Sequence, residues 1–158
     1  MKLNSKITIS IDITMISLLE HVHKPSELLR EAHRILKDDG SLFIHIPNIN
    51  SVEAKIFKQY WQLLHAPWHL YHYTPNTIQL LLDKCGFKVI SINYDPWPGT
   101  IINSLNYLFR KKAERFLSNR YIYLLMWITL LPFSSIEALL KSGNAMLIHA
   151  KKQGNGLE

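Results

Sequence analysis

The chain has a single cysteine, Cys85, in 158 residues. An internal disulfide framework is therefore excluded, and a reducing compartment, the cytoplasm, is expected. Glycine is scarce as well, with six in all, at positions 40, 86, 99, 143, 154 and 156. The one Gly-x-Gly, Gly154-Asn155-Gly156, falls in the tail after the last predicted strand. No glycine-rich strand–turn–helix of the kind that cradles a nucleotide cofactor is encoded in these residues. No serine or cysteine stands beside an arranged base, which leaves nucleophilic catalysis without support. The opening Met1-Lys2-Leu3-Asn4-Ser5-Lys6 lacks an apolar core and does not read as a signal peptide. Long hydrophobic runs are also wanting: Tyr121 to Ile136 is uncharged, but it is shorter than about 18 residues and holds Pro132, so no spanning helix is expected.

What is present is apolar and basic. Hydrophobic residues make up 47% and charged residues 19%, the balance of a globular chain, and the length suits one domain. The net charge of +6 favours anionic surfaces. Arg110, Lys111, Lys112, Arg115 and Arg120 sit within eleven residues. They form either a solvated helix face or, with the apolar stretch that follows, a membrane-surface contact through 105–136. Nucleic-acid binding is not expected, because the basic residues cluster on one helix without a recognition motif.

Along the chain, Ile7–Ile16 is rich in β-branched residues and predicts a strand. Pro25 suits the first turn of a helix, and Leu28, Leu29, Ala32, Ile35 and Leu36 recur at helical spacing up to Asp38-Asp39-Gly40. Ser41–Ile46 predicts a second strand. Asn50 and Glu53 have capping-box spacing, ahead of one helix face formed by Val52, Ile56, Phe57, Tyr60, Leu63 and Leu64. Thr74-Pro75 starts a further helix that ends at Gly86, and Phe87–Tyr94 predicts a third strand. Residues 101–140 form a helical insertion, and Ala145–Ala150 a fourth strand. Strands and helices alternating at short spacing imply an α/β fold with a mostly parallel sheet. Residues 1–152 are expected to be a single domain, with 153–158 a tail whose Leu157-Glu158 resembles a cloning scar.

Two stretches carry more specific information. Ile13-Thr14-Met15-Ile16-Ser17-Leu18-Leu19-Glu20-His21-Val22 leads into the first helix. About fifty residues on comes His69-Leu70-Tyr71-His72-Tyr73-Thr74-Pro75, followed by a helix ending Cys85-Gly86-Phe87. Together they resemble the second half of a class I S-adenosylmethionine-dependent methyltransferase, of the subgroup acting on small molecules and lipid quinones. The resemblance covers residues 13–92 and, more loosely, 93–152.

The resemblance implies a partial Rossmann-like methyltransferase sheet holding the equivalents of strands four to seven, the seventh running antiparallel between five and six. It implies S-adenosylmethionine as cofactor, with Met15, Ile16 and Ser17 at the cofactor side. Glu20, His69 and Tyr71 fall toward the acceptor, and His21 and His72 are the candidate bases. Trp68 and His65 replace the arginine and aspartate that the family favours, which implies an altered acceptor site. No metal is expected, because no carboxylate or cysteine has supporting spacing around His65, His69 and His72. The aromatic group Tyr60, Trp61, Trp68, Tyr71 and Tyr73 is either core packing or a substrate-facing wall. His33 and His45 read as ordinary helix and strand residues. With the donor half absent from these residues, the domain is expected to be incomplete and inactive alone. It then pairs through its first strand, as a homodimer or with a complementing chain. The other reading of the same edge is a non-catalytic interaction module.

Overall fold

The computed structural model describes residues 10–109 and 119–153. Its elements are β1 (Ser10–Ile16), α1 (Pro25–Ile35), β2 (Leu36–Pro47), α2 (Val52–Phe57), α3 (Pro75–Lys84), β3 (Phe87–Tyr94), α4 (Gly99–Leu108), α5 (Arg120–Leu139) and β4 (Ala145–Lys152). The four strands form one sheet in the order β1-β2-β4-β3. β1 and β2 are parallel, and β4 lies antiparallel between β2 and β3. This is the arrangement that the resemblance implies. The strand forecast at Ile7 begins at Ser10 among the described residues.

The core lies where α1 and α3 cover the sheet. Leu29 and Ala32 of α1 and Ile78 and Leu82 of α3 pack with Leu42, Ile44, Phe87, Met146 and Ile148 from the strands. Pro25 occupies the first turn of α1, and Thr74 caps α3 by accepting from the Thr77 backbone N–H. Gly86, at φ +84°, supplies the left-handed turn into β3.

Four local forecasts need correction. Asp38-Asp39-Gly40 does not end α1: the helix stops at Ile35, and Leu36–Gly40 already belong to β2. Gly40 is needed there for proximity rather than for a turn, since an added Cβ would lie 2.5 Å from the Ile11 carbonyl oxygen. The cap of α2 is Ser51, whose hydroxyl accepts from Ala54 N–H at 3.0 Å, while Asn50 donates its own N–H to the Asn48 side chain. Glu53 thereby turns inward instead of closing a capping box. α2 then ends at Phe57, because Lys58 takes φ +50°, and the chain runs on through two short 3₁₀ turns, Lys58–Tyr60 and Gln62–Leu64. Ile56 is consequently exposed.

The fourth correction concerns α5. Pro132 lies inside this helix without ending it, so the apolar stretch forecast as too short to span continues through a 20-residue helix. One proline removes one hydrogen bond, and the apolar run continues on both sides of it. At 20 residues α5 is long and apolar enough, by length and composition only, to cross a membrane. Its inward face carries Ser134 and Glu137, while Tyr121, Leu124, Leu125, Ile128 and Leu139 point outward. The forecast basic residues Arg110, Lys111, Lys112 and Arg115 lie outside the described residues.

Candidate functional site

Ligands on sheets of this type bind beyond the carboxyl ends of the parallel strands. There the structure has a cleft of about 370 Å³, within the size range of small-molecule sites. Ser17 follows β1, His45 and Pro47 close β2, Asp95 and Trp97 follow β3, and Asn103 reaches in from α4.

The chemistry in this cleft comes from His45. Its Nε2 donates to Asp95 Oδ2 at 2.6 Å. The Asp95 carboxylate raises the His45 pKa above its ordinary value, partly offset by burial, and Glu20 adds to the rise. A carboxylate holding one imidazole nitrogen fixes the ring and stabilises its protonated form, leaving Nδ1 for another partner. The sequence offered no sign of this pair: fifty positions separate the two residues, and only the sheet joins β2 to the loop after β3.

Glu20, His21, His69, Tyr71 and His72 come together beside the loop after β1. The segment His69–Tyr73 runs across the loop after β1: Leu70 N–H and Tyr71 N–H donate to the Glu20 carbonyl at 2.8 and 3.2 Å, and Ile49 N–H donates to the Tyr73 carbonyl at 3.0 Å. Tyr71 donates its hydroxyl to the His23 carbonyl at 3.1 Å. His21 stands edge-on to His69, with ring centroids 4.7 Å apart, and the His72 ring lies 6.2 Å from that of His69. His21 donates from Nδ1 to the Trp68 carbonyl, and His72 donates from Nε2 to the Leu64 carbonyl. Both are exposed, and neither lines the cleft that holds His45. The Glu20 carboxyl is 1% exposed as a residue, both its oxygens lack a hydrogen-bond partner, and burial raises its pKa. Tyr73 is buried beside it, and burial pushes its hydroxyl up to about 12.

The aromatic group divides. Trp61 and Tyr73 are buried, whereas Trp68 and Tyr71 are exposed and Tyr60 lies at the surface. Of the three residues expected at the cofactor side, Met15 belongs to the core, while Ile16 and Ser17 are exposed at the end of β1. Among the described residues β1 has a neighbour on one side only, β2. A crevice at a strand-order reversal needs a wall on each side. The described residues supply one of them and place no glycine beside Ile16 and Ser17. They do not by themselves fit S-adenosylmethionine.

Comparison with known proteins agrees with this architecture. A family model described as a methyltransferase domain matches residues 12–92. Among curated proteins, no sequence matches. A SAM-dependent methyltransferase from Archaeoglobus fulgidus is similar in structure, with a TM-score of 0.57 at 18% identity, over 93% of this chain and 61% of that one. A chain from the complex of the Haloferax volcanii Trm112 methyltransferase activator with its methyltransferase partner scores 0.56 at 12% identity, over 99% of this chain and 60% of that one. The [4+2]-cyclase SpnF scores 0.53 at 14% identity, over 96% of this chain and 54% of that one. At such identities the likeness is one of fold, and the cyclase shows that this fold is not bound to one reaction. The chain spans a little over half the length of each of these structures. The match to the family model takes in just over half of the 158 residues, and the chain belongs to the methyltransferase domain family.

Proposed function

We propose that this chain is the acceptor side of an S-adenosylmethionine-dependent methyltransferase for a small-molecule or lipid acceptor, inactive until polypeptide outside the described residues completes the donor side. The observation that carries this reading is the pairing of a formed cleft, holding His45 and Asp95, with a β1 whose outer side has no described neighbour. Ile16 and Ser17 then face the donor side, with Met15 fixing the strand beneath them. Glu20, His69 and Tyr71 shape the rim through which the acceptor enters. His45, held by Asp95, is better placed than His21 or His72 to take the acceptor's proton, because it lines the cleft. The outward apolar face of α5 favours a lipid acceptor met at a membrane surface.

Calorimetric titration with S-adenosylmethionine and S-adenosylhomocysteine tests the reading. The chain by itself is expected to give no saturable heat with either compound. Tight binding of one equivalent would show that the donor side is already whole, and the proposal would fall.

A second reading has its own support. Ile11 and Ile16 on β1 are 61% and 68% exposed, an apolar edge that a second copy could cover by strand pairing. In that case the protein is a non-catalytic pairing module. Sedimentation velocity is expected to show a dimer that Ile11→Lys converts to monomer. A monomeric parent protein removes this reading.

A further inference from the structure

We propose that Glu20, His21 and His69 bind one zinc ion at the rim of the cleft. One ligand atom from each residue lies within 4.8 Å of those of the other two. The fold makes this cluster by laying His69 against the loop after β1, so that the carboxylate missing from the His65–His72 stretch comes from a residue far away in sequence.

The hydrogen bonds around the cluster suit metal binding. A carbonyl oxygen can only accept, so the ring nitrogen facing it must carry the proton. His21 Nδ1 faces the Trp68 carbonyl at 3.0 Å, and His69 Nδ1 faces the Leu63 carbonyl at 2.8 Å. Each ring is thereby fixed in the tautomer that leaves the Nε2 lone pair free. Histidines that ligate metals are held by backbone carbonyls in this way. The Glu20 carboxyl is fully buried, yet neither oxygen has a hydrogen-bond partner. An unsatisfied buried carboxyl costs free energy that a cation would recover.

Two imidazoles and one carboxylate match the three-ligand set of open zinc sites. The same set disfavours magnesium, which prefers oxygen ligands alone. Zinc at about 2.0–2.1 Å from each ligand needs the donor atoms roughly 3.3 Å apart. Ligand atoms up to 4.8 Å apart must therefore close by up to about 1.5 Å, with exposed His21 and the Trp68 carbonyl that holds it moving together at the surface. Three protein ligands leave one position open, and the exposure of His21 puts that position toward solvent. Leu63, whose carbonyl holds His69, also lines the cleft, so the ion lies beside the proposed acceptor site.

The test uses the full chain without a polyhistidine tag, stripped with chelator and then titrated with Zn²⁺ by calorimetry and with Co²⁺ by visible absorption. One equivalent is expected, with d–d bands from Co²⁺ and no competition from millimolar Mg²⁺. Glu20→Gln keeps the shape of the side chain, and His21→Ala alters an exposed residue. Each is expected to weaken zinc by about tenfold or more. His149→Ala, on β4, is expected to bind as the parent does. Far-UV circular dichroism checks that every variant is folded. No saturable uptake, or one equivalent that persists undiminished in both His21→Ala and Glu20→Gln, would overturn the site. The titration contains no S-adenosylmethionine, so its outcome is separate from that of the methyltransferase reading.

Discussion

Raising the pH from 5 to 8 is expected to destabilise this protein by several kcal/mol, and Glu53→Gln is expected to remove much of that loss. Glu53 on α2 and Glu137 on α5 are both buried. Burial, with the neighbouring Glu137 charge adding to it, pushes the Glu53 pKa up to about 8, and burial pushes Glu137 up to about 7. Asn144 donates to Glu53 Oε1 at 2.9 Å, which opposes the rise but leaves Oε2 unpartnered. In the unfolded chain both carboxyls ionise near 4.5. Between the two values the folded protein holds more protons than the unfolded one, so stability falls as pH rises.

A tenfold change in proton affinity on folding corresponds to about 1.4 kcal/mol, and ionising one of these carboxyls makes ionising its neighbour harder. Several kcal/mol is a large part of a typical domain's stability. A glutamine at position 53 can still accept from Asn144 and cannot ionise. Urea midpoints at pH 5, 6.5 and 8 check this. The variant should match the parent at pH 5 and exceed it at pH 8. Equal slopes with pH for the two proteins would contradict the burial argument. His45 acts in the same direction, since its pKa is raised and its contribution fades as pH rises; being partly exposed, it adds little.

The sheet was legible in the sequence because its signals are local. β-branched runs mark β1 and β3, and Pro25 and Thr74-Pro75 mark helix starts through backbone chemistry that needs no distant partner. The order of β4 was not local: nothing in Ala145–Ala150 says that it lies between β2 and β3, and it came from resemblance to a family. Errors gathered where tertiary contacts override local preference. Glu53 has capping-box spacing, but Asn144, ninety-one positions away, draws it inward. The candidate site divides in the same way. The two stretches around Glu20-His21 and His69–Tyr73 were visible as motifs, and the structure brings them together. His45 and Asp95 were not, because a lone histidine in a strand has no signature until the chain returns past it. The proposed zinc cluster was not legible: the sequence grouped His69 with His65 and His72 and led to no expected metal, whereas the fold sets it against Glu20 and His21.

Trp61→Ala is expected to cost about 3–5 kcal/mol, and Trp68→Ala less than about 0.5 kcal/mol, although the two tryptophans lie seven positions apart. The difference is one of burial: Trp61 is 1% exposed and Trp68 65%. Trp61 sits between the two 3₁₀ turns where α4 packs over them, in a small buried group apart from the main core. Removing the indole leaves a cavity that α4 cannot close without moving, and α4 carries Asn103 into the cleft. The Trp61 indole N–H is itself buried without a partner, so Trp61→Phe should recover most of the loss, since it fills much of the same space and deletes an unsatisfied donor. Guanidinium denaturation midpoints with unchanged slopes would measure all three variants. A Trp61→Ala protein as stable as the parent would mean that α4 is not seated on this residue and that the cleft wall it forms is not fixed. A Trp68→Ala protein that loses several kcal/mol would mean that the exposed indole is covered in solution, by a second copy or by another surface.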